Sequence, residues 1–174
     1  YFCAMVFPTV NFWHDDAPAL MVLAAFLKHG WLHAAIREKG GAYGAGAAQH
    51  NEWGVFRFFS YRDPRFEETI AAFLTCIDWC LDVEGEEADR FLEESKLSVL
   101  AQWDKPHAPA DEAKSDWLDK NMGRTHEVLK EFRLRLWQVS LLDIKRVCSV
   151  YLTGTPTLAV LGPDMKNLPE GWEK

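Results

Sequence analysis

His29 and His33 stand four residues apart, the spacing at which two imidazoles on one helix can reach a single zinc ion. Peptide hydrolysis through the inverted motif His-x-x-Glu-His also needs a glutamate just before the second histidine, as catalytic base. That place holds Leu32. Read one turn earlier, the window is Ala25-Phe26-Leu27-Lys28-His29, with alanine for the first ligand and lysine for the base. Neither register can cut a peptide, and no metal site is expected in this chain. His14, His50, His107 and His126 are scattered through loops and element starts, where they read as surface or capping side chains.

The run Gly40-Gly41-Ala42-Tyr43-Gly44-Ala45-Gly46 invites a phosphate-loop reading, which fails on position. The third glycine of a dinucleotide fingerprint is replaced by Gln49, no Gly-Lys-Ser/Thr follows, and the run closes a helix instead of opening one. What remains is a glycine C-cap leading into a small-residue strand that another backbone can approach closely. Arg37 and Tyr43 flank it, a permanently charged fork of donors and a hydroxyl on a stiff ring. Nucleophilic catalysis finds no support, since Gly-x-Ser-x-Gly is missing. The four cysteines, Cys3, Cys76, Cys80 and Cys148, contain no Cys-x-x-Cys pair; they read as buried free thiols suited to a reducing compartment. Glu86, Glu87, Glu93 and Glu94 form a solvated helix face.

The elements that must position Arg37 and Tyr43 follow from the apolar pattern. A strand is expected over 2–13, broken or bent at Pro8. A buried helix is expected from Ala19 to Glu38, ended by Gly40-Gly41. Two strands, 42–50 and 54–62, are joined by a short polar turn at Asn51-Glu52. Asp63-Pro64 opens a helix with the stripe Ile70, Phe73, Leu74, Ile77 and Leu81, and Gly85 separates it from another over 86–103. After a proline-stiffened loop at 105–110, helices are expected near 111–120, 125–138 and 141–152, then a last strand over 157–161. This order implies an α+β fold: a mainly antiparallel sheet covered by helices on one side.

The 174 residues and 19.9 kDa fit one domain, 1–174. A composition 48% hydrophobic and 26% charged is that of a globular chain. The formal charge of −7 has the wrong sign for nucleic acid or an anionic membrane. The longest apolar run, Ala19 to Leu27, falls well short of the roughly 20 residues that span a bilayer. The chain enters its first strand directly from Tyr1, which suggests a piece of a longer polypeptide. Of its eight tryptophans, Trp13, Trp53 and Trp117 lie near element ends. An exposed apolar patch, with self-association of the isolated domain, is expected there.

Three blocks carry a family resemblance: Ile36-Arg37-Glu38-Lys39-Gly40-Gly41-Ala42-Tyr43-Gly44, Phe59-Ser60-Tyr61-Arg62-Asp63-Pro64-Arg65 and Lys96-Leu97-Ser98-Val99. Shorter matches lie at 104–111, Val139-Ser140, Tyr151-Leu152 and 158–163. Over about residues 11–163 the chain resembles the C-terminal domain of the presequence-protease branch of the M16 (pitrilysin/insulinase-like) zinc metallopeptidases. The resemblance implies an M16 metallopeptidase-like (LuxS/MPP-like) α+β domain, non-catalytic by itself, in a zinc metalloendopeptidase whose two halves close around a peptide. It places zinc, His-x-x-Glu-His and a distant glutamate ligand in the N-terminal half, which becomes the partner of this domain. Arg37 and Tyr43 match the arginine and tyrosine that reach the substrate backbone. The compartment it implies is the cytoplasm in a bacterium or the mitochondrial matrix in a eukaryote. The alternative is a purely structural M16-like domain with a packing role only.

Overall fold

The computed structural model describes residues 1–106 and 108–163. In β1 (Phe2–Pro8) the side chains alternate, with Cys3, Met5 and Phe7 buried, and in β3 (Val55–Tyr61) the buried set is Phe56, Phe58 and Ser60. That period of two gives one apolar face to each strand. Antiparallel pairing sets Met5 against Phe58 and puts both buried sets on one side. β2 (Gly44–His50) pairs with β3, and β4 (Thr157–Leu161) with β1. The sheet runs β2-β3-β1-β4, antiparallel throughout.

Helix α1 (Ala17–Leu27) is buried at every residue except Met21. It packs against β2, α3 (Glu86–Trp103), α5 (His126–Gln138) and α6 (Leu141–Tyr151), so the helices cover the buried face of the sheet. The other face leaves Arg57, Phe59 and Tyr61 partly or well exposed. The remaining α-helices are α2 (Phe66–Asp82) and α4 (Pro109–Asn121). A reciprocal capping box opens α6: Ser140 Oγ accepts from the Asp143 N–H, and the Asp143 carboxylate accepts from the Ser140 N–H at 2.9 Å. Phe12 stacks on Phe132 with centroids 4.6 Å apart, tying the segment after β1 to α5.

The fold class is as expected, and several boundaries differ. β1 stops at Pro8, where the ring removes the donor that would continue the ladder, and turns and a bend occupy 12–16. The α2 stripe is Thr69, Phe73, Cys76, Ile77 and Cys80, whereas Leu74 is 47% exposed. All four cysteines are free and buried. The largest departure is the first long helix: after Leu27 the chain continues as a π-helix, Lys28–Glu38, of which only Leu32 and Ile36 are buried. Together the two stretches are long and apolar enough to cross a membrane by length and composition. The α-helical stretch owes its hydropathy to lying in the core.

Candidate functional site

Arg37 lies in the last turn of the π-helix and Tyr43 just before β2, on either side of Gly40-Gly41. The turn between them is closely specified. The Lys39 N–H donates to the Ala34 carbonyl five residues back at 3.0 Å, the π pattern, and the Gly41 and Ala42 N–H groups donate to Arg37 and Ile36 at 3.1 Å each. Gly41 sits at φ 78°, a left-handed conformation that favours glycine. At Gly40 a Cβ would stand 2.3 Å from the Ile36 carbonyl oxygen, so a side chain is excluded there as well.

The block at 59–65 clamps this turn. Arg65 donates through Nε to the Gly40 carbonyl at 3.1 Å and through Nη2 to the Lys39 carbonyl. A cation thus satisfies carbonyls that a helix C-terminus leaves unpaired. Asp63 holds Arg65 in place: its buried carboxylate accepts from the Arg65 N–H at 2.9 Å, from Ser60 Oγ at 2.6 Å and from Thr69 Oγ1 at 2.7 Å. Arg62 lies over the Tyr43 ring, 5.1 Å from its centroid, and the Tyr61 ring is 5.7 Å away on the same ring. The Tyr43 N–H donates to the Arg62 carbonyl at 3.3 Å. Tyr43 is thereby braced on two sides while 63% exposed.

Arg37 is also exposed, and its Nη1 lies 3.2 Å from His33 Nε2. The other ring nitrogen of His33 lies 3.2 Å from Glu38 Oε1. The structure therefore sets Arg37 and Tyr43 around one turn, each with its own supports. Of those supports, His33 was weighed in the sequence only as a zinc ligand, and Glu38, Arg62 and Arg65 carried no assigned role. These three lie inside the first two family-like blocks, and that was their only signal.

The zinc reading of the helix does not fit these residues. Leu32, in the place of the catalytic base, is fully buried in the core, and His33 is engaged by Arg37 and Glu38. His29 Nδ1 is buried with no hydrogen-bond partner, and burial, then the nearby Lys28 charge, pushes its pKa below the usual histidine value. Among the described residues no three His, Cys, Asp or Glu side chains gather as metal ligands. His107 lies outside the described residues. A concavity of about 810 Å³ lies elsewhere, between α3, α5 and the β2–β3 turn, with Phe12, Asn51, Trp103, Arg124 and Trp137 among its lining.

The family model described as the PreP C-terminal domain matches residues 11–154. The mitochondrial presequence protease of Xenopus laevis is 37% identical over 163 residues, which cover 92% of this chain and 15% of that protein. The Yarrowia lipolytica presequence protease is 34% identical, over 96% of this chain and 17% of its own length. The chain thus spans about a sixth of these relatives. In fold it is similar to an inactive peptidase domain from Bordetella parapertussis (TM-score 0.72, 16% identity, 91% of each chain). It is similar also to pitrilysin (TM-score 0.58, 15% identity, 99% of this chain and 20% of that one). The chain belongs to the presequence-protease C-terminal domain family, on the fold of the M16 inactive peptidase domains.

Proposed function

We propose that this chain is the non-catalytic, substrate-binding domain of a zinc metalloendopeptidase that degrades peptides in a closed chamber. Arg37 and Tyr43 are its contribution to the composite site. The observation that carries this reading is the pair itself: an exposed guanidinium and an exposed, braced phenol presented around a two-glycine turn that two separate motifs hold in shape.

Arg37 donates to the carbonyl oxygen of the bound peptide near the scissile bond. Its charge makes that hydrogen bond strongest as negative charge grows on the oxygen in the tetrahedral intermediate. The Tyr43 hydroxyl donates to a neighbouring backbone carbonyl and fixes the register of the peptide. Zinc and the attack of water belong to the N-terminal half, as the family resemblance implies. That half is the partner of this domain. Trp13, Trp53 and Trp117, exposed by 56%, 75% and 63%, are surfaces for neighbouring domains, and in the isolated chain for self-association. The compartment is the mitochondrial matrix in a eukaryote, as the relatives' names support, or the cytoplasm in a bacterium.

A purely structural role is the second reading, favoured by one feature: both residues also have partners within the chain. Reconstitution separates the two. Added to a separately produced, zinc-bearing N-terminal half, the wild-type chain should restore peptide hydrolysis. Arg37→Ala should associate equally and restore little. Full restoration by the variant would support the structural role.

A further inference from the structure

We propose that His33 is a positioning residue for Arg37, and that the π-helical winding serves the site by letting one imidazole hold Arg37 and Glu38 at once. This rests on Arg37 contacting the substrate.

A guanidinium has only donors. At 3.2 Å from Arg37 Nη1, His33 Nε2 is therefore the acceptor and carries no proton. The ring proton of the neutral imidazole sits on Nδ1, facing Glu38 Oε1 at 3.2 Å. The relay runs from the Glu38 carboxylate, which accepts from Nδ1–H, to Nε2, which accepts from Arg37. A carboxylate behind the ring makes its far nitrogen the better acceptor.

The winding matters because in an α-helix a residue five positions on lies about 140° further around the axis. Glu38 would then point away from His33. The π-helix closes its hydrogen bonds between residues five apart, so Arg37 and Glu38 both neighbour His33.

The partner's chemistry also suits the task. No carboxylate forms an ion pair with Arg37 among the described residues. A carboxylate in direct contact would cancel the charge that must meet a developing oxyanion. A neutral imidazole fixes the fork by one donor and leaves the charge and the other donors free.

Two measurements test this. In the 174-residue chain, long-range ¹H–¹⁵N NMR should show His33 protonated at Nδ1, and the bias should be lost in Arg37→Ala and in Glu38→Ala. A ring protonated mainly at Nε2, or a tautomer unmoved by both changes, overturns the proposal. In the full-length polypeptide carrying this domain, His33→Ala should lower kcat for peptide hydrolysis about three- to tenfold, the worth of one hydrogen bond. His33→Gln, which keeps an acceptor near the Nε2 position, should recover most of that loss, and His33→Ala should cost nothing further beside Arg37→Ala. If Arg37→Ala slows hydrolysis while His33→Ala does not, the positioning role fails and the substrate contact stands. If Arg37→Ala leaves the rate unchanged, the substrate reading fails and takes this proposal with it.

Discussion

Gly44→Ala places a methyl group against the brace of Tyr43. Gly44 pairs with Tyr61 across β2 and β3, and a Cβ at 44 would stand 2.3 Å from Tyr61 Cζ, where carbon atoms settle at about 3.5–4.0 Å. The Tyr61 ring, 38% exposed, can swing away, and three effects set the outcome. Losing its packing on Tyr43, now 5.7 Å between centroids, costs about 0.5–1.5 kcal/mol. Holding the displaced ring off its rotamer costs about 0.5–1.5 kcal/mol. Replacing a strand glycine by alanine returns about 0.5–1 kcal/mol. The net is a destabilisation of about 0–2.5 kcal/mol, centred near 1 kcal/mol, or a fall in Tm of up to about 10 °C for a domain of this size. The diagnostic is a double-mutant cycle by thermal melting. In a Tyr61→Ala background the same glycine change should be neutral or stabilising, because the clash is gone. Equal effects in both backgrounds would refute the claim that the ring occupies the space above Gly44.

Arg65→Ala removes the clamp on the Lys39 and Gly40 carbonyls. Because water can replace an exposed donor, global stability should fall by only about 1 kcal/mol, while hydrogen exchange at Gly41, Ala42 and Tyr43 should accelerate. Acid should loosen the start of α1. The Asp16 carboxyl is held below the usual carboxylate range by hydrogen bonds from Arg146, at 2.6 Å, and Tyr151, at 2.8 Å, against the opposing effect of burial. Its stabilising effect is complete above the unfolded value, about pH 4, and is lost as the pH falls through the lower folded value. Arg146→Ala should flatten that acid limb in pH-dependent unfolding, and an unchanged limb would rule the pair out as its cause.

The fold was legible where one segment carries its own pattern. Phe56-Arg57-Phe58 alternates as a strand with one buried face must, and Gly40-Gly41 ends a helix in any context. The stripe of α2 was only partly legible, because Leu74 is apolar yet lies on a flank left exposed among the described residues. The π-helix had no signal, since the same side chains serve α and π windings and only the hydrogen-bond register differs. Arg37 and Tyr43 could be named from their motif, but what holds them could not. Tyr43 and Arg62 are nineteen residues apart in sequence and meet because they sit one step beyond the register pair Gly44–Tyr61. The first two blocks of the family resemblance thus meet at one end of the β2–β3 hairpin, where the first residue of β2 faces the last of β3.

The central claim is that Arg37 meets the substrate, and kcat/KM for peptide hydrolysis by the full-length polypeptide carrying Arg37→Ala tests it most directly. Loss of a charged donor to a developing oxyanion should lower that constant about 10²–10³-fold, or roughly 2.7–4 kcal/mol. Tyr43→Phe should cost about 0.5–1.5 kcal/mol. Zinc content and thermal stability should remain those of the parent. Parental kcat and KM in both variants would contradict the claim and leave the pair with a structural role alone.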